Sequence, residues 1–207
     1  MNYATIKKTD VANGPGVRVS LFVSGCTHHC KGCFNSVAWD FQYGQAYTLE
    51  TEQEILQALA PDYIRGLSLL GGEPMEPQNR ATVLSLVKKV REIYPRKTIW
   101  CYTGYDFDKD LLAWMEAGDP VITKLLPLLD VIVDGEYKEE CRNLRLPFRG
   151  SENQRILDVP FSRIRESEDF GRTIVFKGKM WYNFTYIRGF GSKKGYRFEN
   201  KNKSVRE

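Results

Sequence analysis

Three cysteines, Cys26, Cys30 and Cys33, crowd the stretch CTHHCKGCFN in the pattern C-x3-C-x2-C. Thiolates that close together select soft metals: zinc, copper or an iron–sulfur cluster. A structural zinc site closes with four ligands and commonly draws two of them from a second, distant pair, which this chain lacks. His28 and His29 stand between Cys26 and Cys30, where a side chain has little freedom to join the same tetrahedron; they read as exposed loop residues. Cys101 lies in an apolar run and reads as a small core residue, and Cys141 lies among charges and reads as an idle thiol. A 4Fe–4S cluster has four irons, and electron-transfer clusters take a cysteine on each. With three cysteines one iron keeps an open position, by the logic that separates catalytic from structural zinc. The spacing therefore points to a cluster that can bind a substrate, with a zinc site as the other reading.

The elements that must position this loop are legible as hydrophobic patterns. GVRVSLFVSG (16–25) predicts a buried strand entered through the turn Asn13-Gly14-Pro15-Gly16, and the cysteine loop follows it directly. TLETEQEILQALA (48–60) predicts a helix with Ile55, Leu56 and Leu59 on one face, capped by Thr48 or Thr51. GLSLL (66–70) predicts a buried strand that stops at Gly71-Gly72-Glu73-Pro74, and NRATVLSLVKKVREIY (79–94) an amphipathic helix. A strand at 97–104, a helix at 108–117 and a strand at 129–137 follow. Strands alternating with helices imply parallel β-α units in an open α/β or partial-barrel architecture. In such folds the chemistry sits at the carboxyl ends of the strands. The cysteine loop, the Gly-Gly segment, Thr103-Gly104-Tyr105 and Asp134-Gly135 all fall at such ends.

The chain as a whole has 207 residues, 42% hydrophobic and 27% charged, as in an ordinary globular protein. No secretory leader or membrane-spanning run is visible, and an odd count of five cysteines, three in one loop, suits reduced thiols; a cytoplasmic location is expected. The charge is uneven. Residues 161–207 carry 12 Lys/Arg against 5 Asp/Glu, while residues 1–160 carry 18 against 21. A domain over 1–160 and a basic, aromatic-rich extension over 161–207 are the expected division.

C-x3-C-x2-C after the first such strand, followed by the aromatic Phe34, resembles the signature of radical S-adenosylmethionine enzymes. More closely, NGPGVRVSLFVSGC, KGCFN, LSLLGGEPMEPQN, WCYTGY, DVIVDGEY and RGSENQR, in that order, resemble the activating proteins of anaerobic ribonucleoside-triphosphate reductase. The resemblance runs from Asn2 to about Pro160. It implies a partial (β/α) barrel, with Cys26, Cys30 and Cys33 holding one 4Fe–4S cluster whose open iron chelates S-adenosylmethionine. One electron then cleaves the cofactor to methionine and a 5′-deoxyadenosyl radical, which abstracts hydrogen from a glycine of the large reductase subunit. It further implies that the backbone of Gly32, Cys33 and Phe34 touches the cofactor near its adenine. Gly71, Gly72 and Glu73 match a glycine-rich segment whose backbone approaches the methionyl end, although GGEP alone also reads as a plain turn with a solvated acid. Thr103, Tyr105 and Asp134 match segments at the mouth of the barrel, against the plainer reading of strand and turn residues. Arg149 and Asn153 fit the terminal motif without a readable role. The implied partners are the large reductase subunit and an electron donor such as flavodoxin; a homodimer is left open.

The resemblance stops where the extension begins. Residues 161–207 interleave ten aromatics with the basic excess. That pattern suits a short β-rich or irregular appendage better than a nucleic-acid surface. Two other functions are compatible with these residues: an activase of a different glycyl-radical enzyme or a small-molecule radical enzyme, and, in another class, a zinc-stabilised nucleic-acid-binding module.

Overall fold

The computed structural model describes residues 1–159. Among the described residues seven strands form one sheet: β1 (Asn2–Asp10), β2 (Val17–Val23), β3 (Gln45–Ala46), β4 (Ile64–Gly71), β5 (Thr98–Tyr102), β6 (Val131–Asp134) and β7 (Arg155–Asp158). Their spatial order is β3-β1-β2-β4-β5-β6-β7. The centre, β2-β4-β5-β6, is parallel, whereas β1 and β3 on one side and β7 on the other are antiparallel. The α/β expectation is met by a mixed, open sheet. The antiparallel strands at its two margins are the departure from a pure succession of parallel units. The expected extension over 161–207 lies outside the described residues, and among those described no helix is long and apolar enough to cross a membrane.

Helices α1 (Leu49–Leu59), α2 (Pro77–Ile93), α3 (Leu112–Glu116) and α4 (Ile122–Leu125) supply the crossovers. Thr48 caps α1 and accepts from the Thr51 backbone N–H at 3.3 Å, so the first of the two predicted caps is used. Pro77 opens α2, where its missing N–H costs nothing. The run predicted as one helix at 108–117 begins as a π-helical turn over Phe107–Leu111 before α3.

Side-chain alternation divides the sheet into two faces. Val19, Leu21, Val23, Leu67, Leu69, Ile99, Cys101 and Ile132 pack with Ile55, Leu59, Val83, Val87 and Val90 of the helices into the main core. The opposite face carries Trp100, Val131, Val133 and Ile156, with Tyr102 and Phe148 against them. Both faces of the central strands are covered, hence their near-continuous apolar runs. Arg18 interrupts that pattern. Its guanidinium is fully buried and donates to Ser68 Oγ at 2.7 Å, to the Leu67 carbonyl at 2.7 Å, and to the Thr98 carbonyl and hydroxyl, each at 2.9 Å. Burial pushes its pKa down to about 10, which still leaves it charged. A charged residue inside a strand is tolerated here because four acceptors replace its water.

Candidate active site at the carboxyl ends of the parallel strands

The cysteine loop leaves β2 at Ser24-Gly25 and is fastened on both sides. Gly25 N–H donates to the Ala38 carbonyl at 2.8 Å and Cys26 N–H to the Trp39 carbonyl at 3.1 Å, which closes the loop on itself. Gly72 N–H donates to the Val23 carbonyl at 2.7 Å and Glu73 N–H to the Gly25 carbonyl at 2.8 Å, which ties the Gly-Gly segment to the start of the loop. Asn79 on α2 donates to the carbonyls of Ser24 at 2.9 Å and Glu73 at 3.0 Å. A Cβ on Gly72 would stand 2.6 Å from the Gly25 carbonyl oxygen and 2.9 Å from that of Ala38. The glycine is therefore required by the protein's own backbone packing, before any ligand is considered.

Glu73 is not a solvated turn acid. It is 1% exposed. One carboxylate oxygen accepts from Met75 N–H at 2.8 Å and the other from Gly104 N–H at 2.7 Å, so the acid joins the loop after β4 to the loop after β5. His28 likewise departs from the exposed reading, its side chain being 9% exposed. Its Nδ1 lies 2.9 Å from Glu136 Oε1, and its Nε2 lies 3.3 Å from Glu73 Oε2, a charge contact too poorly aligned for a hydrogen bond. Burial works against the imidazolium, but the two carboxylates outweigh it and hold His28 up at about 9. His29 stays exposed, with its ring 4.7 Å from that of Trp39.

One cavity of about 690 Å³ gathers most of the residues singled out in the sequence. Cys26, Cys30, Cys33, Gly32, Phe34, Gly71, Gly72, Glu73 and Thr103 line it. Phe34 stands 85% exposed at its edge. Asp134 is not among the lining residues. Its buried carboxylate accepts from Phe107 N–H at 2.8 Å and pairs with Arg155, whose Nε is 3.0 Å away. Tyr105 also stands back from the cavity, its ring 4.4 Å from that of His28. Arg149 lines the cavity and donates to the Gln154 carbonyl at 2.5 Å; Asn153 donates to the Glu136 carbonyl at 2.8 Å. Tyr102, Tyr137 and Arg142 also line the cavity; the first two lie in the segments WCYTGY and DVIVDGEY without being singled out, and Arg142 had no signal in the sequence. Cys101 is fully buried in the core, and Cys141 is half-buried and not part of the lining.

All five cysteines are free thiols. Burial pushes the Cys26 thiol up to about 12 and raises Cys30 as well, so their ionisation needs a strong electrophile such as iron. Among the described residues no three His, Cys, Asp or Glu side chains converge on the dimensions of a single ion. A four-iron cluster asks for something different, because each thiolate takes a separate iron and the ligands stand apart. Three soft donors on one loop, facing an open cavity, fit that group.

Comparison with known proteins agrees with this geometry. A family model described as a 4Fe-4S single cluster domain matches residues 12–157. A protein of Enterobacteria phage T4 is 42% identical over 156 residues, covering 75% of this chain and 93% of its own length. One of Vibrio cholerae is 46% identical over 156 residues (74% of this chain, 96% of its own), and one of Escherichia coli K12 is 40% identical over the same length and the same shares. All three are named anaerobic ribonucleoside-triphosphate reductase-activating protein.

Proposed function

The chain belongs to the anaerobic ribonucleoside-triphosphate reductase-activating proteins, and from that membership we propose how its own residues serve the activation of the reductase. It is an iron–sulfur enzyme whose activity is to activate that reductase. In this reading Cys26, Cys30 and Cys33 hold a single 4Fe–4S cluster and leave one iron open. When bound, the reduced cluster supplies the electron for reductive cleavage of S-adenosylmethionine, from which the glycyl radical of the reductase derives.

The protein's part is to place and to shield. The observation that carries the reading is that the three cysteines share one cavity with Gly32, Phe34, Gly71, Gly72, Glu73 and Thr103. Gly71 and Gly72 line the cavity, and the resemblance implies that backbone carbonyls there accept from the methionyl ammonium; Gly32, Cys33 and Phe34 line it too, and the resemblance implies that they meet the adenine. Thr103 closes the wall at the end of β5. Asp134 acts from behind the cavity by fixing Phe107 and Arg155. The large reductase subunit is the macromolecular substrate. The resemblance also implies an electron donor such as flavodoxin and leaves a homodimer open; free thiols throughout the described residues support a cytoplasmic setting. Four parallel strands in sequential spatial order support the finer reading of the sheet as part of a (β/α) barrel. A family match ending at residue 157 supports a catalytic unit over 1–160.

Anaerobic purification tests the cluster directly. A brown protein with about four irons per chain is expected, and, once reduced, it should cleave S-adenosylmethionine and raise a glycyl-radical signal on the anaerobic reductase. A colourless protein carrying zinc would overturn the reading.

A further inference from the structure

Between two ligand-bearing positions of the cysteine loop, one ring, that of His28, is nearly enclosed while the residues on either side of it, Thr27 and His29, are exposed. We infer that His28 is a positioning residue, which locks the cysteine loop to the loops after β4, β5 and β6 and so sets the cluster against the cofactor-facing wall of the cavity. This inference rests on the cluster-binding function proposed above.

Each of the other three loops meets the ring with a different group. The loop after β4 brings the Glu73 carboxylate to 3.3 Å from Nε2, and the loop after β6 brings that of Glu136 to 2.9 Å from Nδ1. The loop after β5 contributes the Tyr105 ring, 4.4 Å away between centroids and near edge-on, and the space beside Gly104. A Cβ on Gly104 would lie 2.6 Å from His28 Cδ2 and 2.7 Å from Nε2. Residue 104 is thus glycine where only glycine leaves room for the imidazole. Glu73 itself is rigid, with both oxygens accepting backbone N–H groups. The ring therefore leans on a fixed point, and the loop between Cys26 and Cys30 inherits that fixity. Glu76 fastens the loop one residue away, at Thr27, and the remaining backbone ties lie at its start, at Ser24, Gly25 and Cys26.

The test uses the full chain, reconstituted anaerobically, with S-adenosylmethionine as the probe. Calorimetry reads its affinity, and electron paramagnetic resonance reads the change it induces in the reduced cluster. His28→Ala should keep its iron yet bind S-adenosylmethionine roughly tenfold or more weakly, with a smaller spectral change. His28→Gln places a neutral amide nitrogen where Nε2 stands, keeping the polar contact with Glu73 but not its charge, and should restore part of the affinity. His28→Asn reproduces only the Nδ1 position, opposite Glu136, which is 53% exposed, and should restore less. Gly104→Ala, which crowds the ring without touching it chemically, should shift both readouts in the direction of His28→Ala. Affinity within about twofold of wild type in His28→Ala, with an unchanged spectrum, overturns the inference. So does an equal loss in the Ala, Gln and Asn variants that tracks a fall in unfolding midpoint, since that marks packing alone. Should His28→Ala fail to fold, the Gln and Gly104→Ala variants decide by the same criteria. A wild-type protein that takes up no iron overturns the proposed function first, and this inference with it.

Discussion

Glu76 Oε1 accepts from Thr27 twice, from the backbone N–H at 2.8 Å and from the hydroxyl at 2.6 Å. Glu76 precedes the first residue of α2, yet its side chain makes no cap bond there. The carboxylate instead crosses to the cysteine loop, so the helix that backs the sheet also holds the loop that bears the thiols.

Glu76→Ala should therefore loosen the cysteine loop. Removing a buried carboxylate that accepts two hydrogen bonds costs about 2 kcal/mol, read as a lower denaturant midpoint of the iron-free protein. Iron retention after gel filtration should fall with it. Glu76→Gln keeps one acceptor oxygen and should lie between the two.

Replacing Cys26, Cys30 or Cys33 by Ala should abolish both cluster assembly and S-adenosylmethionine cleavage, because two thiolates no longer anchor the cluster. Cys101→Ala should retain iron while losing about 1 kcal/mol of stability, as expected for a small cavity in the core. Cys141→Ala should change neither. Iron lost from the Cys101 variant would assign it as a ligand.

A side chain at Gly72 has a specific expected outcome. From the sequence alone, Gly72→Val would weaken cofactor binding and spare the iron, through blocked approach of the ligand. The Cβ position 2.6 Å from the Gly25 carbonyl oxygen changes that expectation. The clash displaces the start of the cysteine loop, so iron content and S-adenosylmethionine affinity should fall together in Gly72→Ala. Full iron content with weak cofactor binding would mean that the strand ends yield without disturbing the loop.

Arg155 pairs with Asp106, Asp108 and the buried Asp134. Arg155→Ala strands the Asp134 charge and should cost about 2–3 kcal/mol, less than a fully buried pair because Arg155 is itself 32% exposed. Asp134→Asn in the Arg155→Ala background should recover part of that loss, as measured by urea unfolding. No recovery would show that the other two aspartates carry the interaction.

Much of the fold was legible because its central strands and long helices are patterned on burial. β2, β4, β5, β6, α1 and α2 all fall within a few residues of the predicted runs. β1 was not anticipated, since NYATIKKTD is polar and its burial is confined chiefly to Tyr3 and Asp10. Backbone pairing with β2, not apolar content, holds it in the sheet. The cysteines were legible from spacing, but the burial of His28 and Glu73 was not. Their partners lie on loops far away in the chain, and no local pattern announces that two acids and a histidine will meet at the ends of three strands.

Truncation after residue 160 should leave a folded protein that still binds its cluster and cleaves S-adenosylmethionine, as circular dichroism and iron analysis would show. A soluble truncated chain that assembles no cluster would assign residues beyond 160 to the active domain.

The short strand β7 bears on how close to residue 160 such a cut can fall. Without it, β6 would present Val131, Ile132 and Val133 with an open row of backbone donors and acceptors, a ready template for another chain. Arg155–Asp158 occupies that row in antiparallel register, with a charged residue at each end. Among the described residues these four act as the selvedge of the sheet, a short margin with charged ends that offers the next molecule less to knit to than β6 would.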